Sequence, residues 1–184
     1  MNKQIEELAN CVGKDVLVRV GREPIDKHVL DGFVVGISDK LLLLHVINDN
    51  TCTLNGYSAV QRSDLRSYQI CDSFLSPALR LLERKPVIPD DIDLSNWTEL
   101  IASLQRKGIL VWIEVEKKAP GCGFVGRVVR QTKQFVVLET VDMQGEWAEI
   151  EQIAFKDITK VEFAGGYVEA LAQLITHRDG VLDK

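Results

Sequence analysis

Two long stretches of this sequence share one apolar pattern at a nearly constant spacing. Residues 16–18 match residues 109–111, and residues 64–65 match residues 157–158, so both pairs lie 93 positions apart (16 to 109, 64 to 157). Self-similarity over such a period is typical of a repeated structural unit. The sequence therefore predicts a tandem duplication of one small unit.

The clearest local match is a pair of strands that opens with Gly-Phe. Residues 32–47 read as two adjacent strands with a polar turn at 38–40, and residues 123–141 read in the same way. Here Gly32 matches Gly123, which lies 91 positions later (32 to 123). This spacing implies a preceding loop that is two residues shorter in the second copy.

Each copy is predicted to contain a helix, five short strands and a second helix. Residues 16–20 alternate in polarity, as in a strand with one face on a core. Residues 48–50 and 142–145 are rich in Asn, Asp and Gly, which favour tight turns. Apolar side chains recur at helical spacing near four segments, and we expect helices at residues 3–11, 74–84, 96–108 and 167–177.

A segment rich in proline and aspartate separates the two copies. Residues 86–93 have the composition of a linker, which predicts one domain over residues 1–85 and another over residues 94–184. Domains of this size bury a modest core. We therefore expect the copies to share an interface or to form a homo-oligomer.

Composition and charge limit the cellular location and the kinds of partner that we expect for this protein. The formal net charge is −5, so the overall field does not favour nucleic acid, although a local basic patch can still bind it. The longest apolar run is far shorter than the ~20 residues of a membrane helix, and the first residues do not resemble a signal peptide. We expect a cytoplasmic protein with no membrane partner.

The cysteines and histidines do not predict a reactive centre. The four cysteines show no Cys-x-x-Cys spacing, and the three histidines form no paired ligand motif. No catalytic residue, metal site or cofactor is predicted. The alternative is an enzyme that uses Cys122, which lies between two glycines, or His45.

One local group of residues has the chemistry of a nucleic-acid surface. Arg127, Arg130 and Lys133 cluster around the turn of the second copy, and Trp112 lies on a predicted strand of that copy. Sites for single-stranded nucleic acid usually combine two components: cations along the path of the phosphate backbone and aromatic rings that stack on the bases. The alternative interpretation is a solvated hairpin tip beside a core tryptophan.

The order of a short helix and five strands resembles the Sm-like family of small SH3-like barrels. Gly32 and Gly36 stand where that family has glycines in its second strand, whereas the second copy has Gly123 and then Arg127. The Asp-Leu and Asp-Ile pairs at 64–65 and 157–158 resemble the entry to the family's fifth strand. The resemblance implies two five-stranded antiparallel barrels with flanking helices.

Sm-like proteins bind uridine-rich RNA, and the resemblance locates the corresponding positions here. The family uses an Asp and an Asn near the turn after the second strand, and an Arg-Gly pair before the fifth. Other residues occupy these positions: Ser38, Leu42 and residues 61–62 in the first copy; Val129, Lys133 or Gln134, and residues 154–155 in the second.

The resemblance also implies a mode of assembly. Barrels of this family leave strand edges unpaired and join them between subunits. We therefore expect a non-catalytic binding or assembly module built from two Sm-like repeats, with a homo-oligomer or another protein as partner. The alternative is an RNA-binding or single-stranded nucleic-acid-binding protein that uses Arg127, Arg130, Lys133 and Trp112.

Overall fold

The computed structural model describes residues 3–70 and 75–182 of the chain. It divides into two compact units, Met1–Asn96 (unit 1) and Trp97–Lys184 (unit 2). Phe74, the expected start of the second helix, and Cys71 lie outside the described residues. No helix within the described residues is long and apolar enough to cross a lipid bilayer.

Unit 1 follows the predicted order of a helix, five strands and a second helix. A 3-10 turn, Arg62–Asp64, precedes its last strand. The elements are α1 (Lys3–Ala9), β1 (Leu17–Arg22), β2 (Asp26–Ile37), β3 (Leu41–Asn48), β4 (Thr53–Gln61), β5 (Ser67–Ile70) and α2 (Leu75–Leu81).

Unit 2 repeats this order. It also has a 3-10 turn before its last strand, at Phe155–Asp157. The elements are α3 (Trp97–Lys107), β6 (Val111–Glu114), β7 (Gly123–Gln131), β8 (Phe135–Val141), β9 (Trp147–Ala154), β10 (Lys160–Phe163) and α4 (Gly166–Leu182). The expectation of a mainly β fold with flanking helices is therefore confirmed.

The strands of each unit form an antiparallel sheet with one shared order. It is β5-β1-β2-β3-β4 in unit 1 and β10-β6-β7-β8-β9 in unit 2. Neither sheet, over the described residues, is closed by hydrogen bonds into the expected barrel. The 3-10 turn redirects the chain, so that β5 pairs with β1 and β10 pairs with β6 rather than with the strand before the turn.

The sheet of unit 1 buries apolar side chains on both faces. Leu42 and Leu44 pack with Leu8 of α1, whereas Phe33 packs with Leu79 of α2. A strand that is covered on both faces needs no polar alternation. This double cover explains the uninterrupted leucine run of β3.

Unit 2 also uses its two helices to build a core. Helix α3 buries Leu100, Ile101 and Leu104. Helix α4 buries a second apolar stripe, in which Val168, Leu171 and Ile175 pack with Leu110, Val125 and Val141. The stripe follows the three- to four-residue spacing of one helix face.

The hairpin turns form at the predicted positions. In unit 1 the Asn48 side-chain oxygen accepts hydrogen bonds from the amides of Asn50 (3.0 Å) and Thr51 (3.3 Å). In unit 2 the Asp142 carboxylate accepts from the amides of Gln144 and Glu146, both at 2.9 Å. Short Asn and Asp side chains stabilise turns in this way.

The strand register corrects the alignment of the two repeats that the sequence suggests. Gly32 pairs with Val46, and Gly126 pairs with Thr140, so equivalent residues here lie 94 positions apart (32 to 126). Gly123, the glycine chosen from the sequence, instead begins β7 opposite Glu114. The loop before this strand is therefore longer in unit 2, not shorter.

A close approach of two backbones explains why both positions need glycine. A Cβ on Gly32 would lie 2.6 Å from the carbonyl oxygen of His45, and a Cβ on Gly126 would overlap the carbonyl oxygen of Glu139. Only glycine can occupy such a site without moving the neighbouring strand.

Both units have a β-bulge three residues further on, between Val34 and Gly36 in unit 1 and between Val128 and Arg130 in unit 2. Arg130, and not Arg127, is therefore the counterpart of Gly36. A Cβ on Gly36 would lie 2.5 Å from Leu94 Cδ1, because residue 94 covers this bulge. Position 36 thus needs a glycine that position 130 does not.

The last helix is longer than its apolar pattern indicates. The sequence predicts an end at His177, but α4 continues to Leu182. Beyond His177, the Arg178 guanidinium donates to the Gly145 carbonyl oxygen (2.7 Å) and pairs with Glu146 (2.9 Å). These contacts with the β8–β9 hairpin stabilise the extra turn.

Candidate nucleic-acid interface

The turn between β7 and β8 is built around one hydroxyl group. The Thr132 Oγ1 atom accepts hydrogen bonds from the amides of Gln134 (3.2 Å) and Phe135 (3.0 Å). The amide of Thr132 donates to the carbonyl oxygen of Phe135 at 2.9 Å. These bonds fix the turn and leave Lys133 exposed at its tip.

A second segment of unit 2 is tied to this turn. The amide of Phe155, the first residue of the 3-10 turn, donates to the carbonyl oxygen of Gln134 at 3.0 Å. Two segments that are well separated in sequence, 132–135 and 155–157, therefore lie side by side. The turn-forming residues position the side chains of Lys133, Phe155 and Lys156.

A groove with a volume of about 640 Å³ lies along these two segments. We call it the lysine groove. It combines ammonium groups, aromatic rings and side-chain amides from one unit. The groove is lined by Lys118, Lys133, Gln134, Phe135, Gln152, Ala154, Phe155, Lys156 and Asp157.

The lysine groove carries positive charge. Lys118 lies 3.6 Å from the Asp157 carboxylate, which is the groove's one acidic lining residue. Lys133 and Lys156 are exposed and have no ion-pair partner within residues 3–70 and 75–182. Two ammonium groups thus remain available to an anionic ligand in a protein whose net charge is −5.

The aromatic rings add a stacking surface. Phe135 and Phe155 are both half-buried, so each ring is fixed by packing and still presents part of its surface to the groove. A fixed, partly exposed ring beside cations can hold a planar base while the cations hold its phosphates. The amides of Gln134 and Gln152 offer both donors and acceptors to base edges.

Unit 1 has the same backbone at this place but not the same groove. The Ser38 Oγ atom accepts from the amides of Lys40 (3.1 Å) and Leu41 (3.0 Å), and the Arg62 amide donates to the Lys40 carbonyl oxygen (2.8 Å). The Arg62 guanidinium then donates to the Ser38 carbonyl oxygen and lies 3.6 Å from Asp39. The Arg62 side chain therefore bonds back to the turn of unit 1, whereas Phe155 at the same place in unit 2 lines the groove.

The structure separates the four residues suggested by the sequence. Lys133 lines the lysine groove. Arg127 pairs with Glu139 (2.5 Å) and lies 4.3 Å from the centre of the Trp147 ring. Trp112 packs edge-on against Tyr167, with ring centres 5.5 Å apart. Arg130 is an exposed residue at the β-bulge of β7. Of the four, Lys133 is the one that lines the groove.

Three important groove residues were not singled out by sequence. Lys118 and Lys156 are scattered along the chain, and only the fold brings them together. Phe155 did have a signal, because residues 154–155 occupy the place of the Arg-Gly pair in the Sm-like resemblance. That alignment pointed to a loop that lines the groove.

A second cavity in unit 2, of about 290 Å³, lies beneath α4. Leu110, Trp147 and Ile175 form part of its apolar wall, and Arg127 and Glu169 lie at its rim. Because Arg127 is already paired with Glu139, this cavity offers less free charge than the lysine groove.

The two residues of the enzyme alternative lie in different units. The buried His45 ring accepts a hydrogen bond from the backbone of Val87 (3.1 Å), and Cys122 lies in an exposed loop. Within the described residues, no three His, Cys, Asp or Glu side chains gather as metal ligands.

No protein-family model, curated protein or solved structure significantly matches this chain. Its function is therefore inferred from its own residues.

Proposed function

We propose that unit 2 is a binding module for single-stranded nucleic acid, with RNA as its ligand, and that the lysine groove is its site. The observation that carries this proposal is the combination of Lys133 and Lys156, both without ion-pair partners in the described chain, with the ring of Phe155. In this assignment the lysines bind phosphates and the ring stacks on a base.

The fold is proposed to be a pair of Sm-like units. Three features support it: the shared strand order, the glycine at the close approach of β2 and β3, and its counterpart between β7 and β8. The two loops that the family uses for RNA correspond to the segments around Lys133 and Phe155. The side chains differ from the family pattern, so a different base preference is expected.

Fluorescence anisotropy with labelled ten-nucleotide oligomers of uridine, adenosine and thymidine tests the site. At low salt we expect micromolar binding of at least one RNA oligomer by the full chain. Lys133→Glu combined with Lys156→Glu should remove it, because each substitution replaces attraction to a phosphate with repulsion.

The matched control is Lys107→Glu, which changes an exposed lysine at the end of α3 that does not line the groove. It should retain most of the affinity. The proposal fails if the wild-type chain does not bind any oligomer at tens of micromolar. It also fails if the double substitution binds as tightly as the Lys107 control.

A second candidate function is assembly through sheet edges. Strands β5 and β9 are outer strands of their sheets, and Ile70 on β5 and Ile150 on β9 are 49% and 62% exposed. Unpaired edges with apolar side chains favour pairing with another chain. We propose that chains of this protein associate through these edges.

Light scattering tests the assembly. The wild-type chain should exceed its monomer mass of 20.6 kDa, and Ile150→Lys should return it to the monomer, since a lysine on an edge strand opposes pairing. A wild-type monomer at high concentration would exclude this candidate. The cytoplasmic location and the lack of catalysis stay predictions from the sequence.

A further inference from the structure

The segment that follows α2 is held on the sheet of unit 1 by side chains of that sheet. At one end, the Val87 amide donates to His45 Nδ1 (3.1 Å), and Tyr57 Oη donates to the Val87 carbonyl oxygen (3.1 Å). At the other end, Ser38 Oγ donates to the Leu94 carbonyl oxygen (2.6 Å). Residues 85–95 therefore have two attachment points next to the sheet of unit 1.

His45 and Tyr57 act on Val87 as a pair. They are cross-strand partners on β3 and β4, and their rings are stacked with centres 4.5 Å apart and planes 20° apart. One ring accepts the amide hydrogen of Val87 and the other donates to its carbonyl group. Together they satisfy both polar groups of one residue of an extended segment.

The bond to His45 requires one protonation state. A ring nitrogen can accept a hydrogen bond only when it carries no proton, whereas both nitrogens of an imidazolium are donors. The geometry therefore assigns the proton of the neutral ring to Nε2. A second proton on Nδ1 would place two donors face to face at Val87.

The surroundings of His45 favour the neutral ring. His45 is 6% exposed, and burial lowers the pKa of its imidazole below the ordinary value of 6.5. Its stacked neighbour is Tyr57, whose pKa is raised by burial and then by the charge of Asp90 on the segment itself. From β2, the residue paired with His45 is the uncharged Phe33.

We propose that His45 and Tyr57 form a pH-sensitive clasp, which holds residues 85–95 on the sheet of unit 1 while His45 is neutral and releases Val87 when His45 gains a proton. The clasp is independent of nucleic-acid binding at the lysine groove. The bond between Ser38 and Leu94 does not titrate, so release begins at Val87 and leaves the Leu94 end attached.

Amide hydrogen exchange of the full chain, measured by NMR and corrected for intrinsic rates, tests the clasp. At about pH 7.5 the Val87 amide should be protected and the ¹⁵N shifts of His45 should show the proton on Nε2. Below about pH 6.5, the ordinary pKa that the released ring regains, protection of Val87 should fall by up to tenfold per pH unit until the lowered pKa of the clasped ring is reached, as expected for release linked to one proton. The amide of Leu44 in β3 should keep its protection.

Three variants separate the clasp from a general effect of acid. His45→Phe keeps an aromatic ring but removes the titrating acceptor, so protection of Val87 should be low and independent of pH. His45→Gln supplies an acceptor that does not titrate, and protection should again be independent of pH, even if His45→Phe does not fold. Tyr57→Phe should lower protection roughly fivefold, the effect of one hydrogen bond, and retain the pH dependence.

The matched control is His28→Gln, which changes a histidine of unit 1 with a side chain that is 94% exposed. It should follow the wild-type profile. The proposal is overturned if protection of Val87 in the wild-type chain does not change between about pH 7.5 and pH 5. A pH dependence that survives in both His45 variants, or a proton on Nδ1 at neutral pH, overturns it equally.

Discussion

Arg62 and Phe155 occupy the same backbone position in their own units, and their side chains have opposite effects there. Each is the first residue of a 3-10 turn, and each donates its amide to the preceding hairpin turn, to Lys40 in one unit and to Gln134 in the other. Arg62 bonds back to the Ser38 carbonyl oxygen, whereas Phe155 lines a groove. The residue type at this position thus decides whether the side chain bonds to the turn or lines a groove.

Phe155→Ala should weaken binding of RNA by about 10- to 100-fold, because one stacked base contributes about 1–3 kcal/mol. Fluorescence anisotropy at a fixed salt concentration measures this change. Arg62→Ala is the matched control, since it truncates the equivalent side chain in unit 1, and it should not weaken binding. Equal losses in the two variants would contradict the assignment to unit 2.

The salt dependence of RNA affinity should show that Lys133 and Lys156 each contact a phosphate. Each phosphate contact to a single strand contributes a slope of about −0.7 in a plot of log affinity against log salt. Lys133→Ala and Lys156→Ala should each make the measured slope less steep by about that amount. Arg130→Ala, an exposed cation outside the groove, should leave the slope unchanged.

Ser38→Ala should destabilise unit 1 more than Thr132→Ala destabilises unit 2. Both hydroxyl oxygens accept from two turn amides, but Ser38 also donates to Leu94 at 2.6 Å, whereas Thr132 has only a 3.3 Å contact with Phe135. At about 1 kcal/mol per hydrogen bond, the losses should differ by about that amount. Amide exchange in β3 and β8 measures each unit separately, and equal losses would contradict the role of Leu94.

Gly126→Ala should destabilise unit 2 by about 1–3 kcal/mol, the usual cost of overpacking, because its Cβ would overlap the Glu139 carbonyl oxygen. Urea unfolding followed by tryptophan fluorescence suits this test, since all three tryptophans lie in unit 2. Gly121→Ala, at a position with φ of +75° and open space, should lose only about 1 kcal/mol.

Unit 2 should become less stable as the pH rises from about 4.5 to 7. The pKa of Glu114 is raised from 4.5 to about 7, chiefly by burial. The ammonium group of Lys160, 3.0 Å from the Glu114 carboxylate, lowers this pKa, whereas the charges of Glu116 and Glu162 raise it. The folded unit therefore binds more protons than the unfolded chain over this range. The stability that Glu114 contributes is complete below its pKa in the unfolded chain and is lost as the pH rises through its pKa in the folded unit.

Glu114→Gln should reduce the dependence of the free energy of unfolding on pH. Between about pH 5 and pH 8 the loss of stability should be smaller by about 1–2 kcal/mol, after allowance for solvent screening. Urea unfolding at about pH 5 and pH 8 measures it. Glu149→Gln, which changes an exposed carboxylate of β9, is the control and should retain the wild-type slope. An unchanged slope in the Glu114 variant would show that the group responsible lies elsewhere.

The order of helices and strands was predictable because it depends on local patterns. Apolar alternation located β1, and the Asn48 and Asp142 turns located two hairpins. The register was not predictable in the same way. The Gly-Phe pair at 123–124 resembles the pair at 32–33, but the close approach of two strands, which the sequence does not display, assigns the shared position to Gly126.

The candidate site could be predicted only in part, for a related reason. Lys133 was found because it stands next to other cations in the sequence. Lys118 and Lys156 reach the same groove from separate loops, so their proximity depends on pairing between distant strands. Arg127 looked equally suitable in the sequence, but its cross-strand neighbour Glu139 takes up its charge.

The crowded glycines of the two sheets bear on how this gene can change over time. Position 32 and position 126 tolerate no side chain without movement of the adjacent strand, while the first position of the 3-10 turn holds residues as different as Arg62 and Phe155. A deep mutational scan should therefore show intolerance at two positions 94 codons apart (32 to 126) and tolerance at positions 62 and 155. A chain of two units with one strand order can acquire a new ligand in one unit while the other unit keeps its fold.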